Sequence, residues 1–214
     1  MSLLTKWQAK VPVIEEAKEW SDRILQYREP HAKLEYIRST GPQYLDTGVL
    51  PTNNYKIEIK FRCESFGSAS YEGGIWGGET GYNSQAFHLY RTENQFDIGF
   101  SGQALVSSFN ANAIYEITVS NGSIIINGTS YSGSSGNINA SYSVYLFALH
   151  RASTFVESTC SKSIYYCKIY NGTTLVRDFI PAKDEEEIVC MYDRVNSQYY
   201  YNIGSGSFVG GPEI

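Results

Sequence analysis

Residues 55–64 read YKIEIKFRCE, and in this stretch apolar and charged side chains alternate without a break. The apolar set is Tyr55, Ile57, Ile59, Phe61 and Cys63, and the charged set is Lys56, Glu58, Lys60, Arg62 and Glu64. An alternation of period two is typical of a β-strand that buries one face and exposes the other. The stretch therefore predicts a half-buried strand of an antiparallel sheet.

Turn signals connect similar strands further along the chain. Residues 115–119 alternate in the same way, and Asn121-Gly122 predicts a hairpin into residues 124–127. Asn127-Gly128 then closes that strand. Residues 164–170 predict a strand with Tyr165, Cys167 and Ile169 inward. Asn171-Gly172 turns this strand into residues 175–180.

Residues 143–150 (SVYLFALH) are apolar at nearly every position, which predicts a central strand covered on both faces. Residues 188–195 and 199–203 add two more strands. Arg177 and Asp178 point to opposite faces of one strand, so we expect each to find a partner on a neighbouring strand. Short strands with turns at regular intervals predict an all-β fold, an antiparallel sandwich or jelly roll, over residues 34–214.

The first 30 residues have a helical pattern instead. Pro12 suits a first helical turn, and Pro30 ends the helix. Apolar residues recur at spacings of four and three, as in the seam of a coiled coil. These seam residues are Val13, Ala17, Trp20, Ile24 and Tyr27. We therefore expect an N-terminal α-helix in an arm, residues 1–33, used for anchoring or oligomerisation. The helix must pack on its own domain, on copies of itself, with a trimer favoured, or on a partner protein.

Charge and composition limit the classes of partner. Residues 1–33 carry six basic and five acidic residues, and the remaining chain carries eleven and seventeen. An acidic body without a basic stripe argues against nucleic-acid binding and against anionic membranes. The sequence has neither a signal-peptide pattern nor an apolar run long enough for a membrane span. We therefore expect synthesis in a cytoplasm.

The cysteines and the acidic run do not predict a metal site. The four cysteines include no C-x-x-C pair, so we expect buried free thiols, with a disulfide at Cys160 as the alternative. Residues 184–187 (DEEE) predict a solubilising turn rather than a calcium loop. We expect neither a metal nor a cofactor.

Three segments resemble a known group of domains. They are residues 34–49 (LEYIRSTGPQYLDTGV), residues 163–181 (SIYYCKIYNGTTLVRDFIP) and residues 190–206 (CMYDRVNSQYYYNIGSG). They are similar to the ends of concanavalin A-like, laminin-G-like domains found in phage and prophage structural proteins of gut bacteria. The resemblance covers about 180 residues, although residues 65–140 match only in style, through GIWGG at 74–78 and FHLY at 87–90. It implies a jelly-roll sandwich that binds a partner.

Because the same fold houses glucanases, we tested the sequence for catalytic residues. Those enzymes need carboxylates that alternate on one strand, and two carboxyl groups about 5.5 Å apart would serve as nucleophile and acid. The sequence has no such array, and Glu79 and Asp97 are its only weak candidates. None of the histidines, His31, His88 and His150, has an adjacent catalytic partner in the sequence. We therefore expect no catalytic residues.

A carbohydrate site needs aromatic rings with polar groups beside them, because sugars stack on rings and form hydrogen bonds at their edges. The candidate ligand-binding residues are Trp76, Tyr82, His88, Tyr90 and Arg91, with residues 79–85 as a polar rim. The alternative is that Trp76 lies in the core between the two sheets.

These observations predict a non-enzymatic bacteriophage virion protein. In this interpretation a lectin-like module is displayed on the capsid or tail through the N-terminal helix, for decoration or for adhesion to cell-surface or mucin glycans. One alternative is a purely structural cement or capping protein without a glycan ligand. Another is an uncharacterised glycosidase. The expected location is the virion, after synthesis in the host bacterium.

Overall fold

A computed structural model describes residues 29–64, 73–81, 84–92, 95–101, 103–107, 110–138, 140–151, 154–156 and 161–214. The described residues form strands and connecting loops, and they contain no helix. The strands are β1 (Ala32–Lys33), β2 (Ile37–Ser39), β3 (Leu45–Asp46), β4 (Tyr55–Cys63), β5 (Gly73–Gly81), β6 (Ser84–Thr92), β7 (Gln95–Phe100), β8 (Gln103–Ser107), β9 (Ile114–Ser120), β10 (Ser123–Ile126), β11 (Thr129–Ser132), β12 (Tyr145–Leu146), β13 (Leu149–Arg151), β14 (Thr154–Val156), β15 (Lys162–Asn171), β16 (Thr174–Lys183), β17 (Val189–Asp193), β18 (Gln198–Tyr200) and β19 (Val209–Gly210).

The larger of two sheets has the order β11-β10-β9-β4-β15-β16-β17-β18, with β1, β2 and β19 attached beside it. Its pairings are antiparallel. Strand β4 lies at its centre, and Ile57, Ile59, Phe61 and Cys63 are buried as the alternation predicts. Strand β1 pairs with β16, so the sheet begins two residues before the predicted domain start at residue 34.

The smaller sheet has the order β14-β13-β5-β6-β7-β8, and β12 joins β5 to β3. Most of its pairings are antiparallel, while β13 runs parallel to β5. Apolar side chains of both sheets pack into one core cluster, which includes Trp76, Phe87 and Phe100 of the smaller sheet. The Trp76 and Phe87 ring centroids are 4.6 Å apart. The described part of the chain is therefore an all-β, sandwich-like fold, as predicted.

The predicted hairpins are confirmed. Ser120 pairs with Ser123 across Asn121-Gly122, and Asn171 pairs with Thr174 across the second turn. Asn127 and Gly128 both have positive φ, 48° and 80°, which the tight two-residue turn between β10 and β11 requires. The Asn-Gly signal is reliable here because both residue types tolerate that backbone region.

Two strand predictions need correction. Tyr165 is half-buried and not inward, because the register between β15 and β4 shifts between Ile164 and Tyr166. This bulge turns one extra residue out of the core, while Cys167 and Ile169 stay buried. Residues 143–150 form two short strands instead of one, because the extended backbone is interrupted at Phe147, which has a φ of 68°.

Glycines in β5 allow that broken segment to pack closely. A Cβ on Gly74 would lie 2.4 Å from the Leu149 backbone nitrogen, and one on Gly77 would lie 2.4 Å from the Leu149 side chain. A Cβ on Gly78 would lie 2.7 Å from the Tyr142 carbonyl oxygen. The GIWGG sequence therefore provides room for residues 142–149 against β5.

Arg177 and Asp178 have separate partners on the neighbouring strand and turn, as predicted. The Arg177 Nε lies 3.5 Å from the Asp193 carboxylate, and it donates a hydrogen bond to the Thr47 carbonyl. The Arg194 guanidinium contacts the Asp178 carboxylate at 2.6 Å. Asp193 is fully buried and also accepts hydrogen bonds from the backbone nitrogens of Asp178 and Val195.

Three cysteines are buried free thiols, as predicted: Cys63, Cys167 and Cys190. Burial raises the pKa of Cys190 to about 12 and raises that of Cys167 well above its usual value. Both thiols therefore stay protonated near neutral pH. Cys160 lies outside the described residues, as do the predicted N-terminal helix and its seam residues Val13, Ala17, Trp20, Ile24 and Tyr27.

Candidate binding surface on the smaller sheet

Two of the ligand-binding residues predicted from the sequence are buried, and the side chains of the other three are not described. Trp76 is fully buried in the core, which was the alternative for this residue. His88 is buried as well, so neither ring presents a face at the surface. Tyr90 and Arg91 lie on β6, with only their backbone described, and Tyr82 lies outside the described residues.

His88 packs against a neighbouring strand rather than against solvent. A Cβ on Gly99 would lie 2.6 Å from the His88 ring, so the ring covers that glycine. The His88 Nε2 lies 3.5 Å from Asp97 Oδ1, and both side chains are 1% exposed. Asp97, one of the two weak candidates for a catalytic carboxylate, therefore lies in a buried pair with His88.

Four half-buried rings come together nearby on the same sheet, and we call them the aromatic row: Tyr44, Tyr142, Tyr145 and His150. The Tyr145 centroid lies 5.2 Å from that of Tyr44 and 4.1 Å from that of His150, with nearly parallel planes in both pairs. Tyr142 meets His150 edge-on at 4.8 Å. Since Tyr145 stacks on two rings at once, the row presents mainly ring edges and polar tips.

The strand register explains how the row forms. Tyr145 pairs with Gly77 of β5 on one side and with Asp46 of β3 on the other. His150 pairs with Gly78, the next residue of β5. Because β5 carries glycine at both positions, Leu149 can approach it at Gly77 and the backbone of Tyr142 and Ser143 can approach it at Gly78.

Hydrogen bonds that involve the backbone hold His150, next to one end of the row, and Tyr44 at the other end. The His150 Nδ1 lies 3.2 Å from the Ser143 carbonyl oxygen, which accepts a hydrogen bond in the tautomer protonated at Nδ1. That tautomer leaves Nε2 as an acceptor. At the other end, the Tyr44 backbone nitrogen donates to Asn202 Oδ1.

The surroundings of Tyr145 keep its hydroxyl group protonated. Burial, Asp46 and Tyr44 together raise the pKa of Tyr145 above its ordinary value. Its hydroxyl group therefore stays protonated and can both donate and accept hydrogen bonds. A row of hydroxyl groups, an imidazole and apolar ring edges suits a polar, uncharged ligand such as a sugar.

Sequence reasoning missed this row. Tyr44 belonged to a segment that was considered only for its resemblance to known domains, and Tyr145 and His150 belonged to a segment interpreted as one continuous strand. The usable signal was the pair of glycines at 77 and 78, which predicts a close approach of another strand. The position of that strand could not be predicted from the sequence, because it depends on the interruption of the extended backbone at Phe147.

The outer face of the larger sheet carries the predicted charged stripe. Lys56 pairs with Glu58 at 2.6 Å, and Arg62 pairs with Glu64 at 2.6 Å. Arg38 contacts the other oxygen of Glu64, and two serine hydroxyls also donate to this carboxylate. These hydrogen bonds lower the pKa of Glu64 against the opposing effect of burial. The stripe is half-buried and largely satisfied by its own neighbours.

Residues 184–187 form a turn between β16 and β17, as predicted. Asp184 accepts hydrogen bonds from the backbone nitrogens of Glu186 and Ile188 and from the Tyr201 hydroxyl. Among the residues that the structure describes, no group of three or more His, Cys, Asp or Glu side chains could hold a metal ion. The carboxylate of Asp184 therefore stabilises the turn itself.

Comparisons with known proteins add no assignment. The sequence matches no protein-family model. No curated protein is significantly similar to it. Within the described ranges, no helix is long and apolar enough to cross a membrane.

Proposed function

We propose that the chain is a non-enzymatic, lectin-like module of a bacteriophage particle, built on a concanavalin A-like jelly roll. Its aromatic row contacts a surface glycan, and its N-terminal arm, residues 1–33, attaches it to a capsid or tail protein. The phage context rests on the resemblance of the terminal segments. The binding function rests on one structural observation, the stacked and half-exposed row of Tyr44, Tyr142, Tyr145 and His150.

The row fits a sugar for two physical reasons. Tyrosine and histidine tips supply donors and acceptors at the spacing of adjacent rings, which matches the dense hydroxyl groups of a saccharide. Ring edges supply apolar contact without charge. Stacking also fixes the side chains before a ligand binds, so little conformational entropy is lost on binding.

The glycosidase alternative loses one of its two weak candidates. A catalytic carboxylate must reach the scissile bond, whereas Asp97 is 1% exposed and lies beside His88. The cement alternative, in which the sandwich only caps or joins virion subunits, has no observation against it. It differs from the lectin proposal in predicting that no glycan binds.

A glycan array with the full chain tests the lectin proposal, with Tyr145→Ala and His150→Ala as site variants and Tyr170→Ala as a matched control on the outer face of the larger sheet. We expect binding of at least one glycan class, a loss of ten-fold or more in both site variants, and wild-type binding in the control. Equal binding by the wild type and all three variants would mean that the glycan binds outside the aromatic row. An array without any hit, together with tight binding to capsid or tail subunits, would favour the cement alternative.

A pull-down on purified virion subunits tests the attachment. We expect the wild-type chain to be retained and the seam variant Val13→Asp/Ala17→Asp to be lost, since both changes place a charge in the predicted apolar seam. Retention of this variant at the wild-type level would contradict attachment through the helix. Circular dichroism of both proteins checks that the sandwich is folded.

A further inference from the structure

An open pocket of about 570 Å³ lies beside the turn between β16 and β17. We call it the acidic pocket, and its lining residues are Asp184, Glu185, Glu186, Ile188, Tyr199 and Tyr201. Ile188 is 46% exposed and Tyr201 is 43% exposed, so apolar surface lies open next to the carboxylates. An occupant that combines apolar and cationic side chains would suit this lining.

The chain enters the sandwich at the edge of this pocket. The backbone nitrogen of His31 donates a hydrogen bond to the Tyr199 hydroxyl, and the His31 ring lies 3.4 Å from Glu187. Strand β1 follows immediately and pairs with β16, the strand that leads into the acidic turn. The residues just before position 29 therefore start within a few residues of the pocket.

Those residues carry the complementary chemistry. Residues 23–28 read RILQYR, with two arginines, no carboxylate and the apolar side chains of Ile24, Leu25 and Tyr27. The preceding half of the predicted helix, residues 13–22, carries four acidic residues and one lysine. Asp22 and Glu29 flank this segment, and Glu29 is already paired with Lys33. The two arginines are the cations of the predicted helix nearest the entry point, so charge complementarity selects residues 23–28 as the occupant.

We propose that residues 23–28 dock in the acidic pocket of their own chain, with the arginines beside the carboxylates and the apolar side chains on Ile188 and Tyr201. The short connection to His31 supplies a high effective concentration, so a weak local interaction is sufficient. Arginine also stacks on aromatic rings, which Tyr199 and Tyr201 provide.

This docking deepens the proposed function, on which its purpose rests. A clamp at residues 23–28 fixes the direction of the arm relative to the sandwich. Residues 1–20, which lie outside the clamp, would then be available to engage a virion protein. The arm would thus hold the module at a defined angle instead of acting as a loose tether.

Chymotrypsin digestion of the full chain tests the clamp, because this protease cleaves after Trp20, Leu25 and Tyr27 and does not depend on basic residues. The pocket variant is Glu185→Arg/Glu186→Arg, the arm variant is Arg23→Glu/Arg28→Glu, and the two are also combined. Lys6→Glu/Lys10→Glu is the matched control outside the clamp. Mass spectrometry gives the initial cleavage rate between residues 20 and 28.

We expect each reversal alone to raise this cleavage rate at least three-fold and the combination to restore protection, while the control stays at the wild-type rate. Protection that is independent of protein concentration assigns the contact to one chain. Protection that disappears on dilution would assign it to a second copy and overturn the proposal. Unchanged cleavage in both single reversals would overturn it as well.

Two further measurements distinguish loss of the clamp from loss of folding. Thermal unfolding of every variant checks that the sandwich is intact, and Arg23→Lys/Arg28→Lys, which keeps the charge, should retain most of the protection. The glycan array and the subunit pull-down are read separately. The clamp can therefore fail while glycan binding and attachment persist, and the reverse result is equally visible.

Discussion

The two sheets of the sandwich differ in how their strands accommodate neighbouring groups. On the larger sheet, charged side chains alternate with apolar ones, and the charges find partners within the sheet, as Lys56 and Arg62 do with Glu58 and Glu64. On the smaller sheet, β5 presents glycines at positions 74, 77 and 78, and a broken segment packs tightly against them.

This difference separates the scaffold from the candidate site. A face whose polar groups already have partners gains little from a ligand, because the ligand must replace existing interactions. The half-buried rings of the aromatic row instead place polar tips beside apolar ring edges. The proposed function therefore predicts that the larger sheet contributes mainly stability and the smaller one binding, and each part of this prediction has a measurable consequence.

The largest expected effect is on the larger sheet, at Asp193. Asp193→Ala leaves the backbone nitrogens of Asp178 and Val195 without their acceptor and removes the partner of Arg177. Each buried backbone nitrogen that loses its acceptor costs about 1–3 kcal/mol, and loss of the carboxylate near Arg177 adds to this, so we expect a decrease of about 3–5 kcal/mol in the free energy of unfolding. Urea denaturation measures it.

Asp193→Asn is the matched control, because its amide oxygen can still accept from both backbone nitrogens. Burial raises the pKa of Asp193, so the folded protein already tolerates a neutral group there better than an exposed site would. We expect the Asn variant to lose less than half of what the Ala variant loses. Equal losses would mean that the charge, and not the acceptor, stabilises the sheet.

The next effect is on the smaller sheet, at Gly74. In Gly74→Ala the new Cβ would lie 2.4 Å from the Leu149 backbone nitrogen and 2.6 Å from the Ala148 carbonyl carbon. Backbone atoms must then move, which costs about 2–3 kcal/mol of unfolding free energy. Displacement of residues 148–149 should also weaken glycan binding by the adjacent aromatic row.

Gly128→Ala provides the contrast within the larger sheet. No heavy atom lies within 4 Å of a Cβ at this position, but its φ of 80° disfavours a side chain. We expect a cost of about 1 kcal/mol from the backbone alone and unchanged glycan binding. If Gly74→Ala were no more harmful than Gly128→Ala, close packing would not be what the glycines of β5 provide.

The sequence predicted the larger sheet better than the smaller one. The alternation of residues 55–63 and the Asn-Gly turns are local signals, and they predicted β4, two hairpins and the end of β10 at Asn127-Gly128 correctly. The inward position of Tyr165 was wrong because a bulge depends on register against another strand. The aromatic row was missed for a similar reason, since Tyr44 and Tyr145 are a hundred residues apart in the sequence and meet only through β3 and β12.

A third effect concerns pH and the larger sheet. Hydrogen bonds from Arg62, Ser163 and Ser161 outweigh burial and lower the pKa of Glu64 below its ordinary value of 4.5. A carboxyl group with a lowered pKa in the folded state stabilises the fold above the ordinary value, and this stability is lost as pH falls through the folded pKa. Glu64→Gln should therefore lose about 1 kcal/mol at pH 7.

The stability of the two proteins at acidic pH distinguishes an effect of the ionised Glu64 carboxylate from a simple loss of packing. At pH 7 the wild type should be more stable than Glu64→Gln, and the two should converge as pH falls below 4.5. Thermal unfolding at a series of pH values measures the difference. A difference that stays constant down to pH 3 would mean that the ionised carboxylate contributes nothing specific.

The smallest effect tests whether the outer face of the larger sheet is only a scaffold. The Lys56 Nζ lies 3.9 Å from the Tyr170 ring centroid and 2.6 Å from Glu58, and the side chain is 33% exposed. Lys56→Met keeps most of the apolar stem and removes the charge, so we expect a loss of about 0.5 kcal/mol, most of it absent in 1 M salt. Glycan binding should be unchanged, since the aromatic row lies on the other sheet. A clear loss of glycan binding in this variant would assign ligand contact to both sheets and end the separation of scaffold and site.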